Sequence, residues 1–390
     1  MKKIILVLLI IPFILTACWD KVEIDRKIFI STIGIDAGED IEKAKEMKKL
    51  KGNEPFQVNS IKKYNITYAF PNISKLGPQN TQGAELQYIN TDAYSMESGI
   101  VNSLSKTSRT SYFGHTKLLL LSNEILKDKE NFQEIIDYLE RQHIMNRMMY
   151  VIVCTGKAQD YIKFVPGMEQ NIEAYITGLM ENGKNNATIL PVTLNELIIL
   201  LRQNGNAILP NINIDKVKNE IYLTGVDFIK DYELVGSMNP IEVTDLELMR
   251  GEQQAGFKTV YMNGFPVDLQ IYGTKRKIKV QEKDNKIIVD IKLGIEGEVK
   301  DFYIGGKAID DALIKKAEED FNKSLSAEFE NVIKISQSEF NVDAFKIRDH
   351  IEKFNPKIYE KVKNNWDEAF TNMTVNVSVK TSIRRIGAIK

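Results

Sequence analysis

Very little in this 390-residue chain offers the usual chemistry of a catalytic or metal site. It has two cysteines, Cys18 and Cys154, which excludes a disulfide scaffold and any cysteine-rich zinc or iron–sulfur module. Histidine is nearly as scarce: His115, His143 and His350 are all there are, too few for a histidine-based metal centre. Charge of one sign is also lacking. Lys and Arg total 52 against 53 Asp and Glu, a formal net charge of −1, so there is no electrostatic footprint for nucleic acid. No glycine-rich phosphate loop joins a strand to a helix, and Gly305-Gly306-Lys307 lacks the spacing. There is no Gly-x-Ser-x-Gly elbow and no His-Glu-x-x-His, and Asp268, Glu282, Asp284 and Asp290 are acids without a pairing pattern. No catalytic residue, metal ligand or bound cofactor is expected. What is present is the composition of a folded protein, 43% hydrophobic and 27% charged, long enough for two or three domains.

The N-terminus is the most informative segment. Lys2 and Lys3 precede an apolar run from Ile4 to Ile14, too short to cross a bilayer of roughly 30 Å as a helix. After it comes Leu15-Thr16-Ala17-Cys18, which resembles the lipobox of bacterial lipoproteins. In such proteins the cysteine thiol receives a diacylglycerol, the preceding peptide is removed, and the cysteine becomes the first residue. The other reading is a plain secretory signal cut near Ala17, with Cys18 there by coincidence. The lipobox accounts for the charged start, the short apolar run and the cysteine together. It makes residues 1–17 a signal peptide, Cys18 the lipid site and residues 18–27 a short tether. No later segment reaches about eighteen consecutive apolar residues, so the mature chain is expected to be anchored to a membrane without spanning it. Cys154 lies in the run Tyr150–Cys154, which reads as a buried strand with a structural thiol.

Along the rest of the chain, residues 28–36 and 63–70 read as strands, and residues 40–55 as a solvated Lys/Glu-rich excursion. Residues 73–88 carry Gly77-Pro78 and Gly83 and are expected to be loop. Apolar spacings of three and four predict helices over 94–106 and 131–142, and residues 157–164 read as a short helix. Strands are expected at 118–121 and 150–154. Thr193 with Glu196 three residues later fits a capping box for a helix ending near Gly205. Strands at 207–210, 221–229 and 233–237 follow, then a helix over 245–250 ending at Gly251. Residues 278–280 and 287–295 flank a hairpin turn at 283–286. The stretch 310–335 is the longest predicted helix, with further helices over 343–354 and around Trp366, and Thr374 to Ile383 alternates as a final strand. The fold class is mixed, α+β or α/β: three unlike domains with small mixed sheets flanked by helices, at 28–186, 187–272 and 273–390.

Gly114-His115-Thr116-Lys117, just before the strand at 118–121, is the most suggestive internal cluster. A histidine and a lysine at a strand mouth suit anion binding or a general base. The plainer reading is a turn glycine beside a hydrogen-bonded histidine. His143 and His350 read as surface residues.

In their order along the chain, these features resemble the Ger(x)C family, the C-subunit lipoproteins of bacterial spore germinant receptors. The resemblance starts at Leu15-Thr16-Ala17-Cys18-Trp19-Asp20 with Glu23-Ile24, then Gly34-Ile35-Asp36, Gly114-His115-Thr116-Lys117 and Val151-Ile152-Val153. It continues through Gly225-Val226, Leu234-Val235-Gly236, Met249-Arg250-Gly251, Phe340-Asn341-Val342-Asp343, Asn355-Pro356, Trp366, Val375 to Val379 and Gly387. It implies a non-enzymatic receptor subunit of three mixed α/β domains, held by diacylglycerol on Cys18 at the outer face of the spore inner membrane. It also implies two multi-pass membrane subunits as partners and a response of the complex to nutrients. Whether this subunit touches a nutrient is left open. No catalytic residue transfers from the family; Cys18 does, as the lipid site. Trp19, Asp20, Gly114, His115 and Lys117 stand as interaction candidates. The alternative function is a solute-binding lipoprotein that delivers a small molecule to a membrane transporter.

Overall fold

The computed structural model describes residues 26–43, 61–72, 85–169, 171–183, 187–251, 255–262, 265–284, 286–302 and 311–386. The expectations for residues 1–25, most of 40–55, Gly305-Gly306-Lys307 and Gly387 lie outside them. The first part of the chain runs β1 (Lys27–Phe29), β2 (Thr32–Ala37), β3 (Tyr64–Pro71), β4 (Leu86–Ala93), α1 (Met96–Leu104), β5 (Thr110–Tyr112) and β6 (Leu118–Ser122). Then come α2 (Lys129–Arg141), β7 (Tyr150–Cys154), α3 (Ala158–Lys163), α4 (Ile172–Asn182), α5 (Leu194–Asn204), β8 (Ala207–Asp215), β9 (Glu220–Lys230) and β10 (Glu233–Met238). The chain continues with α6 (Pro240–Arg250), β11 (Gly256–Met262), β12 (Phe265–Lys283), β13 (Lys286–Phe302) and α7 (Asp311–Ile335). It closes with α8 (Ile347–Phe354), α9 (Pro356–Val362), α10 (Trp366–Asn372) and β14 (Thr374–Ile386).

Strands β2, β6, β7 and β8 pair in parallel, and their side chains are almost uniformly aliphatic because helices cover both faces. Antiparallel strands extend this centre on both sides, giving eight strands in the order β10-β9-β8-β7-β6-β2-β3-β4. One face packs on Phe132, Ile135 and Leu139 of α2 and Leu194, Leu197 and Leu201 of α5. The other packs on Ala158, Tyr161 and Ile162 of α3 and Ile172, Ile176 and Met180 of α4. Since β7 pairs with β8, this one sheet runs unbroken through the domain boundary expected at 186/187. The second main sheet, β11-β12-β13-β14, is four-stranded, and α7 lies across it with Phe321, Leu325 and Phe329 buried. Core packing continues from the first sheet into the second. The architecture is therefore mixed α+β, with mixed sheets flanked by helices.

Local signals are met where they are strongest. Thr193 and Glu196 form the reciprocal capping box, and Gly205 ends α5 in the left-handed conformation at φ 76°. A second box, Asn239 with Glu242 and Pro240 in the first turn, starts α6 five residues before the predicted helix. The segment expected to be loop to residue 88 becomes β4 from Leu86 on. Its residues Gln87, Asn90 and Asp92 have little intrinsic strand preference. They are held instead by β3, where Asn65 bonds Asn90 and Asp92 through side chains.

Candidate functional site

The Gly-His-Thr-Lys segment is built as a corner where the chain enters the fold. β1 and β5 pair in parallel, placing Phe29 opposite Tyr112. Phe29, Tyr112 and His115 form a three-ring cluster with centroids 5.7, 5.5 and 5.4 Å apart. Gly114 sits where an added Cβ would meet the Tyr112 hydroxyl at 2.6 Å, which explains the glycine. Buried Thr116 donates to the Ile30 carbonyl at 3.1 Å, and Asn146 donates to the Thr116 carbonyl at 2.8 Å. Lys117 reaches Glu173 at 3.2 Å. His115 is exposed and packed on aromatic rings, and Lys117 is turned to an acid. Of the sequence candidates, Gly114, His115 and Lys117 are thus adjacent, while Cys18, Trp19 and Asp20 lie outside the described residues.

Next to this corner is a cleft of about 700 Å³ between β1, the β3–β4 edge and the segment after α1. Lys27, Lys106 and Arg109 line it, and no acid does among the described residues. Sequence reasoning missed this group: three cations at unrelated spacings carry no pattern until β1, β4 and β5 assemble.

A second cavity, about 440 Å³, lies where α5 and β8 meet the end of α6, the segment 342–349 and Trp366. Its framework is polar and already committed. Arg250 donates to the Ala344 carbonyl and to Glu247, and Arg276 donates to the Phe345 carbonyl at 2.8 Å. Asp343 is half-buried and accepts the backbone N–H groups of Phe345, Ile347 and Arg348. Burial raises its pKa above the usual carboxylate value even so. Nearby, buried Lys258 pairs with Asp245 of α6 and, at 2.7 Å, with Glu328 of α7. Burial pushes the Asp245 carboxyl up to about 6, and Lys258 opposes that rise. Cys154 is fully buried, and burial holds its thiol well above the ordinary value, so it is a structural residue. Among the described residues, no group of three or more His, Cys, Asp or Glu is arranged to hold a metal ion, and no helix is long and apolar enough to cross a membrane.

Two family models in succession cover most of the chain. The model described as "Spore germination protein N-terminal domain" matches residues 20–214, and "Spore germination B3/GerAC like, C-terminal" matches 224–387. The chain belongs to the Ger(x)C family of spore germination proteins. It is similar to spore germination protein YndF of Bacillus subtilis (strain 168), 26% identical with 96% of this chain and 94% of that protein covered. It is also similar to spore germination protein B3 of the same organism, at 23% identity over 96% of this chain and 95% of that one. Among solved structures, the crystal structure of the GerBC protein matches with a TM-score of 0.60 and 21% identity, covering 82% of this chain and 93% of that one. That likeness concerns the fold. The gap between the two Ger(x)C models falls on the turn joining β8 to β9.

The loose Ger(x)C motifs noted in the sequence have structural work to do here. In Gly34-Ile35-Asp36, an added Cβ on Gly34 would meet Ile162 Cδ1 at 2.6 Å, so the glycine lets α3 close on β2. Asp36 then accepts the N–H groups of Ala158 at 2.6 Å and Gln159 at 3.0 Å, which satisfies the start of α3. Gly225 has φ 126° and lies against the Met238 carbonyl, and Gly236 lies against the Phe340 ring. Phe340 in turn packs on Phe228 with ring centroids 4.4 Å apart. Gly225, Gly236 and Phe340 therefore converge at the β9–β10 edge of the eight-stranded sheet, all within the region that the C-terminal model matches.

Proposed function

We propose that this protein is the lipid-anchored C subunit of a nutrient germinant receptor and is required for spore germination. The observation that carries the reading is the pair of spore-germination family models spanning residues 20–214 and 224–387 in order. Cys18, at the end of Leu15-Thr16-Ala17-Cys18, would carry diacylglycerol and hold the folded body at the outer face of the spore inner membrane. There it would work with two multi-pass membrane subunits. Anchoring raises its concentration near those partners to the millimolar range, so weak contacts suffice. Two acyl chains give stable anchoring where one is marginal. The role is non-enzymatic: buried Asp36 and half-buried Asp343 hold backbone amides, Asp227 accepts from Asn211 and Ser237, and Asp245 is paired with Lys258. The alternative of a solute-binding lipoprotein is not favoured. Two like α/β lobes on a hinge would leave the core split at a cleft, whereas here core packing passes from one sheet to the other.

The test uses spores with the gene deleted and complemented by wild type or Cys18→Ala, with release of dipicolinic acid followed after each of a panel of nutrients. Loss of the response to one nutrient class on deletion, restored by wild type and poorly by Cys18→Ala, is expected. Losing the tether removes an avidity gain on the order of 100-fold or more. An unchanged response to every nutrient in the deletion strain would overturn the reading.

A further inference from the structure

The cleft beside β1 combines three observations. Its charged lining is Lys27, Lys106 and Arg109, with no acid among the described residues that line it. Among the described residues none of the three is neutralised by a salt bridge: Lys106 Nζ donates to the Asn90 carbonyl, and Lys27 Nζ lies 5.3 Å from the centre of the Tyr112 ring. The Arg109 guanidinium has no ion-pair or hydrogen-bond partner among the described residues. Second, exposed rings adjoin it: Tyr88 lines the cleft and is 49% exposed, and Tyr112, under the Lys27 ammonium, is 37% exposed beside His115 and Phe29. Cations with amphipathic rings suit the headgroup level of a bilayer, where ring and charge each find a fitting medium. Third, the cleft lies where the chain enters the fold. Eight residues, 19–26, separate Cys18 from Lys27, and at about 3.5 Å per residue they reach at most roughly 28 Å.

We infer that this cleft holds the anionic headgroup of a membrane phospholipid, so that the protein has a second, non-covalent hold on the membrane and a fixed orientation against it. The inference rests on the reading that Cys18 is lipidated, since that anchor would keep the cleft within reach of the headgroups. A phosphodiester or phosphomonoester supplies the negative oxygens that Lys27, Lys106 and Arg109 require. A lipid is favoured over free phosphate by the exposed rings that adjoin the cleft, which a small ion would leave in water.

The experiment uses the processed chain, residues 18–390, with Cys18→Ser, so that vesicle binding reports the cleft without the anchor. Co-sedimentation is measured with phosphatidylcholine vesicles and with vesicles containing phosphatidylglycerol. Binding to the anionic vesicles alone, weakened by salt and reduced about fivefold for each charge removed in Lys27→Gln and Arg109→Gln, is expected. Lys315→Gln and Lys357→Gln, on helices remote from the cleft in sequence, control for net charge and should leave binding nearly unchanged. Equal binding to both vesicle types, or equal losses in the control variants, would overturn the site. So would inorganic phosphate that protects the protein against heating while no vesicle is bound, which would assign the cleft to a free anion. The mass of residue 18 in protein recovered from spore membranes tests the anchor separately. An unmodified Cys18 with intact vesicle binding would remove the anchor and keep the site. An acylated Cys18 without headgroup preference would do the reverse.

Discussion

Asp36 shows how a single side chain can look functional and be structural. It is buried, and desolvation raises its pKa even though the N–H groups of Gln159 and Ala158 pull the other way. Its two oxygens stand in for the missing turn before α3, so Asp36→Ala leaves two amides of a buried helix end without acceptors. A loss of about 1–3 kcal/mol in chemical denaturation is expected, with Asp36→Asn losing less because one acceptor remains. Asp245 makes a pH prediction. Its carboxyl titrates at about 6 in the fold against an ordinary 3.8, so the folded state holds the proton more tightly than the unfolded one. Its stabilising contribution is complete below pH 3.8 and is lost as the pH rises through about 6. Stability curves of wild type and Asp245→Asn measured across that interval should therefore differ in slope, the variant being flatter. Parallel curves would show that Lys258 and Glu328 compensate fully.

At the level of elements, α7 and β14 illustrate a protected sheet edge. β14 pairs with β13 on one side only, so the other side presents a row of backbone N–H groups. α7 supplies the acceptors at intervals of four residues: Glu318 for Ile383, Asn322 for Thr381, Ser326 for Val379 and Glu330 for Val377, at 2.8, 2.5, 3.2 and 3.3 Å. The apolar face of α7 is legible in the sequence from Ala317, Phe321, Leu325 and Phe329. The polar stripe beside it is equally periodic, but nothing local says that it meets a strand rather than water. Asn322→Ala with Ser326→Ala should cost about 1–3 kcal/mol in denaturant unfolding and raise aggregation, since each change bares an edge amide. Elements missed from the sequence fail for the same physical reason. β4 is held by pairing with β3, and α4, started by an Asn171 cap, docks Ile172, Ile176 and Met180 on the sheet face opposite α2.

Across the whole molecule, the eight-stranded and four-stranded sheets are joined by packing as well as by chain. Phe340, which follows α7, fills the space left by Gly236 of β10 against Phe228 of β9, and Arg250 and Arg276 hold the carbonyls of Ala344 and Phe345. Unfolding is expected as one transition, followed together by far-ultraviolet circular dichroism and by Trp366 fluorescence in a Trp19→Phe background. Gly236→Val forces Phe340 from its seat and should lower stability by about 1–3 kcal/mol. Two separated transitions in the wild type would show that the two sheets fold independently.

The sequence by itself determined the features whose causes lie within a few residues: the Thr193 box, the Gly205 and Gly251 helix ends, the aliphatic parallel strands and the amphipathic face of α7. Through the order of its motifs it also determined the family. The tertiary structure decided what those motifs do. Asp36 meets Ala158 across 122 positions and Lys258 meets Glu328 across 70, distances over which no local periodicity carries information. It likewise decided that one sheet of eight strands continues past residue 187, because pairing of β7 with β8 depends on buried area and register and leaves no local mark in a loop. The gathering of Lys27, Lys106 and Arg109 around one cleft has the same origin: strand pairing brings together charges that the chain keeps about eighty residues apart.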